Sequence, residues 1–297
     1  WRVAVAAAAF LGALLAKETA VCYPLLALLA IQWRHGWRAL LTWPWAWRTA
    51  VLLAPLLIYF PLRLLALEGH LLRVADPGPE LNPLFIADLP GRLIGPLTIL
   101  GYYARLLIVP SRLSSDYGLG VISPYGDVSS ETVLGVVAAV ALLACLAGFR
   151  SQRRELRLVA TLSAMTLASY VLISNTGLLI GVSLAERLMY WPSAPALMLL
   201  ALAVHSAWRR LSAPGAALAR LAPFFRTLGV LVIVAMGLRT AARNMDWADN
   251  TTLFLTDYQT FPSSFQLSLN RAHMLMDLAI TEGDAEERVV GDCLAAL

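Results

Sequence analysis

Long apolar runs separated by short polar segments dominate this chain. Many runs approach the length of about twenty residues that an α-helix needs to cross a bilayer, and few contain a charge except near their ends. Because a helix satisfies its own backbone hydrogen bonds in lipid, the pattern predicts an all-α, polytopic membrane protein. The predicted spans lie at about 2–16, 19–33, 48–66, 132–149, 158–174, 189–208 and 226–242.

The polar connections between these spans alternate in charge. Three of them are rich in arginine, and the positive-inside rule assigns them to the cytoplasm: residues 34–48, 150–157 and 209–226. The alternate connections carry most of the acidic residues and are predicted to face outward. They are Lys17-Glu18, residues 67–131, residues 175–187 and everything after about residue 244.

Residues 92–110 break this alternation. The segment is apolar enough to enter the membrane, yet both of its flanks are predicted to lie outside. Gly95, Pro96 and Gly101 suit a bent segment, so we expect it to be re-entrant or to lie along the outer surface. The alternative is an eighth span.

After Asn244 the sequence becomes polar and soluble in character. Pro262 is followed by Asn270 and Ala272 at helical spacing, as at the start of a tetratricopeptide (TPR) array, whose second helix would begin after Gly283. The alternative is an ordinary amphipathic tail. We therefore predict a membrane domain over residues 1–243 and a TPR-like segment over residues 244–297.

Composition agrees with a membrane protein and excludes several other classes. Of the 297 residues, 59% are hydrophobic and 14% are charged. The surplus of arginine follows the loops, so topology explains it better than a nucleic-acid partner. The scattered Cys and His residues predict no metal site, and no nucleotide-binding or hydrolase motif occurs. The chain begins at Trp1 rather than Met and stops inside a helical pattern, so we expect both termini to be truncated.

Two charged dipeptides stand at predicted outward ends of spans, where charge is costly and often functional. Lys17-Glu18 is either a charged turn between helices or a site for an anionic headgroup or a sugar. Glu186-Arg187 precedes Tyr190 and is either an interfacial anchor or a phosphate site, because arginine offers a fixed fork of donors to phosphate oxygens.

The outward loop over residues 110–118 is the third candidate. It contains Asp116 and Tyr117 and is preceded by Tyr102-Tyr103 and Arg105. Carboxylates, guanidinium groups and flat aromatic faces are what a sugar site needs. The alternative is a polar surface turn with interfacial tyrosines.

Taken in order, these motifs resemble one family, the membrane-embedded protein O-mannosyltransferase-like proteins with transmembrane and TPR repeats, of the GT-C glycosyltransferase class. The resemblance runs from about residue 10 to residue 297, and each motif alone is short. The motifs are Ala16-Lys17-Glu18, Asn82-Pro83, Arg92, Tyr102-Tyr103, Leu106-Leu107, Pro110, Leu113-Ser114, Asp116-Tyr117, Ala185-Glu186-Arg187, Tyr190, Pro192-Ser193, Arg243-Asn244 and Trp247.

The resemblance implies transfer of a mannose-like sugar from a polyprenyl- or dolichyl-phosphate donor to protein Ser or Thr hydroxyls on the outer or luminal face. The donor is a substrate, and no cofactor is expected. The donor phosphate would bind Arg187 first and Lys17 second. The sugar or acceptor would contact residues drawn from Glu18, Tyr102, Asp116, Tyr117, Glu186 and Tyr190.

In this family the acidic residue proposed as general base lies in the first outer loop, and we expect this chain to start beyond that loop. We therefore name no catalytic base and expect the fragment alone to be inactive. Two other functions stay open: a non-catalytic anchor that presents the TPR-like segment to protein partners, and a transporter of lipid-linked sugars. The composition favours a bacterial inner membrane with a periplasmic tail; a eukaryotic version would lie in the endoplasmic reticulum.

Overall fold

The computed structural model describes residues 1–69, 78–213 and 219–282. Most of these residues are helical, and the described residues contain no β-strand beyond one isolated bridge between Leu119 and Ile122. The predicted all-α class is therefore confirmed. The helices are α1 (Arg2–Ala16), α2 (Tyr23–His35), α3 (Trp37–Leu40), α4 (Trp43–Ala66), α5 (Leu89–Ile108), α6 (Ser130–Cys145), α7 (Arg154–Val171), α8 (Tyr190–Leu211), α9 (Ala222–Asp246), α10 (Asn250–Thr260) and α11 (Phe265–Glu282).

Among the described residues, four helical segments are long and apolar enough to cross a membrane by length and composition: Trp43–Ala66, Ser130–Arg150, Glu186–Leu211 and Ala222–Asp246. The chain is therefore a polytopic membrane protein. Each of the other predicted spans also contains a helix. The second one begins later than expected, because residues 18–22 form a tight 3-10 turn before α2 starts at Tyr23 with Pro24 in its first turn.

Residues 92–110 lie almost entirely in α5, a continuous helix of 20 residues with Pro96 inside it. The carboxylate of Asp88 caps the helix by accepting from the backbone N–H of Gly91 at 2.8 Å. Gly101 lets α5 approach α6 closely, since a Cβ there would stand 1.7 Å from the carbonyl oxygen of Glu131. Proline thus does not break this segment, and its place in the bilayer stays a prediction.

The chain divides into two compact units. The first comprises residues 1–76, 139–179 and 191–199, and it contains α1, α2, α4 and α7. There Phe10 and Leu14 of α1 pack with Tyr59 of α4 in a buried cluster. The second comprises residues 77–138, 180–190 and 200–297, and its largest buried side chains include Tyr103, Tyr117 and Leu84.

Helices α10 and α11 pack against each other and are joined at Pro262. Asp249 caps α10 by accepting from the backbone N–H of Thr252 at 2.7 Å, and Leu267 of α11 is fully buried. A helical pair of this kind is what one repeat would supply. The second helix predicted after Gly283 lies outside the described residues, and both the TPR assignment and the boundary at residue 243 stay predictions.

Candidate functional site

The loop that follows α5 is held by carboxylates, which accept from its backbone N–H groups. The N–H of Ser114 donates to Glu186 Oε1 at 2.8 Å, and the N–H of Ser115 donates to Asp257 Oδ2 at 2.6 Å. The N–H of Tyr117 donates to the side chain of Asp116 at 2.7 Å. Charge-assisted bonds of this kind are stronger than neutral ones, so the loop has a fixed shape.

Tyr117 lies at the centre of this arrangement and is fully buried. Its hydroxyl donates to Glu186 Oε1 at 2.8 Å and accepts from the N–H of Ser114 at 3.0 Å. Its ring packs edge-on against Phe261, which follows α10, with the ring centroids 5.1 Å apart. Tyr117 therefore links the loop both to Glu186 and to the C-terminal helices.

The segment that carries Glu186 and Arg187 is fixed by residues of α5 and the loop. The buried hydroxyl of Tyr103 donates to the carbonyl oxygen of Ala185 at 3.1 Å and accepts from its N–H at 3.3 Å. The hydroxyl of Ser183 donates to the carbonyl oxygen of Tyr117 at 2.7 Å. Both backbone groups of Ala185 are thereby satisfied, and a short 3-10 helix can start at Glu186 and lead into α8.

A buried ion pair attaches α9 and α10 to the same loop. Nη1 of Arg243 lies 2.8 Å from Asp257 Oδ1 and 3.2 Å from Asp246 Oδ2. The Asp257 side chain is 0% exposed and that of Arg243 is 7% exposed. Since the second oxygen of Asp257 accepts from Ser115, this carboxylate joins the last predicted span to the loop.

Arg187 differs from Arg243 because it is exposed. Its Nη1 donates to the carbonyl oxygen of Ser115 at 3.3 Å, a long bond that leaves the other guanidinium donors at the surface. The group thus stands at the edge of the ordered loop, at the beginning of α8, in a position to meet an anion.

Burial and neighbouring charges change the acidity of two loop residues. Burial raises the pKa of Asp116 to about 6, although the N–H of Tyr117 and the charge of Arg187 lower it. Burial also raises the pKa of Tyr117, and the negative charge of Glu186 adds to this effect. At neutral pH the cluster therefore contains ionised Asp116 and protonated Tyr117.

The two remaining tyrosines of the candidate site lie at its edge. The ring of Tyr102 is 6.3 Å from that of Tyr117, and the guanidinium of Arg105 lies 5.0 Å from the Tyr102 centroid. Arg105 in turn pairs with Glu131 at the start of α6. Tyr190 is 77% exposed, as expected for a residue at the membrane interface.

Lys17 and Glu18 belong to the first unit. Glu18 forms an ion pair with Arg63 of α4 rather than with its neighbour Lys17, and Nη1 of Arg63 also donates to the hydroxyl of Tyr59 at 3.1 Å. Among the described residues Lys17 forms no ion pair. The tight turn places Glu18 beside the end of α4, and its partner comes from there. Convergence of Lys17 and Glu18 with Asp116 and Arg187 stays a prediction.

Sequence reasoning selected Asp116, Tyr117, Glu186 and Arg187, and the structure brings these four together. It missed Asp257 altogether and used Arg243 only as part of the family pattern. An aspartate in the middle of an otherwise ordinary helix carries no local signal. The part of the chain that the structure describes contains no group of three His, Cys, Asp or Glu side chains arranged to hold a metal ion.

The fold and this cluster define a polytopic α-helical membrane protein with a rigid charged loop beside an exposed arginine. The chain is similar to three animal proteins named protein O-mannosyl-transferase. It is 27% identical to F38B6.6 of Caenorhabditis elegans over 72% of this chain, 25% identical to Tmtc3 of Drosophila melanogaster over 70%, and 26% identical to human TMTC3 over 65%.

These similarities confirm the resemblance to protein O-mannosyltransferase-like proteins. The chain spans only 28%, 22% and 20% of the lengths of the three relatives, respectively. No protein-family model matches the chain. No solved structure matches it either.

Proposed function

We propose that this chain is part of a GT-C type membrane glycosyltransferase. The enzyme would transfer a mannose-like sugar from a polyprenyl- or dolichyl-phosphate donor to Ser or Thr hydroxyls of proteins on the outer or luminal face. The names of the relatives support transfer to protein. The cluster around Arg187 supports a site at the level where a donor phosphate would lie.

The observation that carries this proposal is the contrast between an exposed Arg187 and the rigid loop beside it. Arg187 comes at the beginning of the apolar segment Glu186–Leu211, and therefore near the headgroup level of a bilayer. A lipid-linked donor carries its phosphate at that level. A guanidinium there would stabilise the charge that develops on the phosphate as the sugar leaves.

The carboxylates of the cluster have a different role in this proposal. Glu186 and Asp257 each accept from a backbone N–H of the loop, so they hold its shape. A general base must instead be free to accept the proton of the acceptor hydroxyl. We keep the prediction that this base is an acidic residue of an outer loop preceding Trp1 in the complete protein.

The C-terminal helices would present the acceptor protein to the site. Asp257 and Phe261 both contact the loop, so a polypeptide bound along α10 and α11 would be held near Arg187. Because the relatives come from animals, we assign the complete protein to the endoplasmic reticulum membrane rather than to a bacterial inner membrane.

The hydroxyls of α7 argue against a transporter. A polar path across the membrane would need side chains free to receive a substrate. The hydroxyls of Thr161, Thr166 and Ser169 instead donate to carbonyl oxygens one turn earlier in their own helix, at 2.7–2.9 Å.

The test is transfer of sugar by the protein expressed from its complete gene, with dolichyl-phosphate mannose as donor and a Ser/Thr-containing peptide as acceptor. Arg187→Gln should lower the transfer rate by about 100-fold or more, since removal of one charge-stabilising donor has effects of that size. Arg187→Lys should retain part of the activity because it keeps the charge and loses the fork. Arg209→Gln, in a basic loop predicted to be cytoplasmic, is the control. Full transfer by a well-folded Arg187→Gln variant would contradict the role proposed for Arg187, whereas no transfer by the unmodified protein would favour a non-catalytic anchor.

A further inference from the structure

A second surface, in the first unit, has no part in the proposed reaction. Residues 33–48 and 150–157 contain seven arginines and one acidic residue, Glu155. Among the described residues, none of these arginines forms an ion pair with a carboxylate. The first segment also contains five tryptophans among its three arginines. We call these two segments the arginine–tryptophan surface.

Aromatic contacts bring the two segments together. The ring of Trp37 lies 6.1 Å from that of Phe149, just before the second segment. The guanidinium of Arg154 lies 5.1 Å from the centroid of Trp33. Arginines that are distant in sequence therefore share one surface at the same end of their helices.

Stacking on indole rings orients the arginines for an anion. The guanidinium of Arg48 lies 5.1 Å from the centroid of Trp45 and 5.7 Å from that of Trp47. A stacked guanidinium keeps its in-plane N–H donors free, and these donors match phosphate oxygens in pairs. Tryptophan is also enriched at the level of lipid headgroups in membrane proteins.

An open cleft of about 450 Å³ adjoins this surface at the end of α6. Its volume is within the range of ordinary ligand sites. Its lining residues have apolar side chains apart from one arginine: Leu143, Ala144, Leu146, Ala147, Phe149 and Arg150. A cation beside an apolar cleft suits a molecule with an anionic head and a hydrocarbon tail.

We propose that the arginine–tryptophan surface binds an anionic phospholipid of the cytoplasmic leaflet. The phosphate would lie against Arg150 and Arg154, and the upper part of an acyl chain would occupy the cavity. Basic pockets on the cytoplasmic side of membrane proteins select anionic headgroups in this way. The proposal is independent of the glycosyltransferase assignment, because none of these residues belongs to the loop site.

The test is titration of phosphatidylserine against the full-length protein in detergent, with bound lipid counted by native mass spectrometry. The variant Arg150→Gln/Arg154→Gln should weaken binding by about 25-fold. Each basic residue near an anionic headgroup contributes a factor of about five, and the variant removes two. Arg150→Lys/Arg154→Lys should bind within a few-fold of the unmodified protein. Phosphatidylcholine should bind weakly to all variants.

Arg209→Gln/Arg210→Gln is the matched control, because it removes the same charge from another predicted cytoplasmic loop. Equal loss of lipid in this control would overturn the proposal in favour of general attraction to basic loops. Displacement of phosphatidylserine by millimolar inorganic phosphate would also overturn it, since the site would then bind free phosphate.

A second variant keeps the test decisive if the double substitution does not fold. Ala147 is exposed and lines the cavity, so Ala147→Trp fills the cleft without disturbing a buried position. It should lower phosphatidylserine binding at unchanged melting temperature. Undiminished binding by Ala147→Trp would show that the cavity holds no acyl chain and would overturn the proposal.

Discussion

Two ion pairs, one in each unit, differ sharply in their exposure. The side chains of Arg63 and Glu18 are 26% and 62% exposed, whereas those of Arg243 and Asp257 are 7% and 0% exposed. Exposed pairs contribute about 0–1 kcal/mol, while removing one partner of a buried pair costs about 3–5 kcal/mol. Loss of one partner should therefore cost far more in the buried pair, which has no recognisable signal in the sequence, than in the exposed pair.

The same comparison shows that opposite charges adjacent in the sequence need not pair with each other in the fold. Lys17-Glu18 and Glu186-Arg187 are conspicuous in the sequence, yet neither dipeptide forms an internal ion pair among the described residues. Glu18 pairs with Arg63, and Glu186 accepts from Tyr117 and Ser114. Neighbours in sequence mark the ends of helices, and their partners come from other elements.

The largest predicted effect is that of Asp257→Asn. This substitution leaves Arg243 as a buried cation whose remaining ion-pair partner is Asp246, so we expect the free energy of unfolding to fall by about 3 kcal/mol. Thermal unfolding in detergent, followed by tryptophan fluorescence, measures the effect. The double variant Arg243→Met/Asp257→Leu removes both charges and should be more stable than either single variant. A loss below about 1 kcal/mol in Asp257→Asn would mean that this pair resembles the exposed one.

The next largest effect is a dependence of stability on pH through Asp116. Because burial raises the pKa of Asp116 to about 6, the folded state binds more protons than the unfolded state between about pH 4 and pH 6. The stabilisation that comes from this proton is fully present below about pH 4 and is lost as the pH rises through 6. Stability should therefore decrease by at most about 2–3 kcal/mol over this range, and Asp116→Asn should flatten that part of the profile. Equal slopes for the unmodified protein and Asp116→Asn would refute the assignment.

A smaller loss is expected from Tyr117→Phe. The change removes the hydroxyl that donates to Glu186 and accepts from Ser114, and leaves a half-buried carboxylate with one donor fewer. We expect a loss of about 1–3 kcal/mol in the free energy of unfolding. Tyr125→Phe, at a 70% exposed position, is the matched control and should change stability by less than about 0.5 kcal/mol. Similar values for the two variants would show that the loop is not held by Tyr117.

The smallest predicted effect is that of Glu18→Gln, the same carboxylate-to-amide change as at Asp257. The pair with Arg63 is exposed and partly screened by solvent, so the loss should be about 0–1 kcal/mol and should diminish with added salt. Chemical denaturation at low and high salt measures it. A loss as large as that of Asp257→Asn would remove the distinction between the two pairs.

Most of the fold could be predicted because a membrane-spanning helix is encoded by one continuous apolar run of the sequence. The helices α4, α6, α8 and α9 lie where long apolar runs predict spans, and charged loops mark their ends. The prediction was poorest at turns. The 3-10 turn over residues 18–22 delays α2, and Pro96 does not interrupt α5, because its neighbours can compensate for one missing hydrogen bond.

The candidate site could be predicted only in part, because its partners are distant along the chain. The bond from Ser115 to Asp257 joins residues 142 positions apart, and the bond from Tyr103 to Ala185 joins residues 82 apart. Spacing rules describe neighbours within one or two turns and cannot identify such pairs. Asp116 and Arg187 could be predicted from the sequence because each lies in a short polar segment between apolar runs, where a charged residue is conspicuous.

The most direct test of the central claim is an experimental structure of the complete protein with a bound polyprenyl phosphate. The account predicts phosphate oxygens within about 3 Å of the Arg187 guanidinium, at the level of the first turn of α8, with the loop at Ser114 and Ser115 unchanged. Phosphate bound elsewhere, with Arg187 pointing to solvent or buried in the lipid interface, would contradict the donor-phosphate site and leave Arg187 as a membrane anchor.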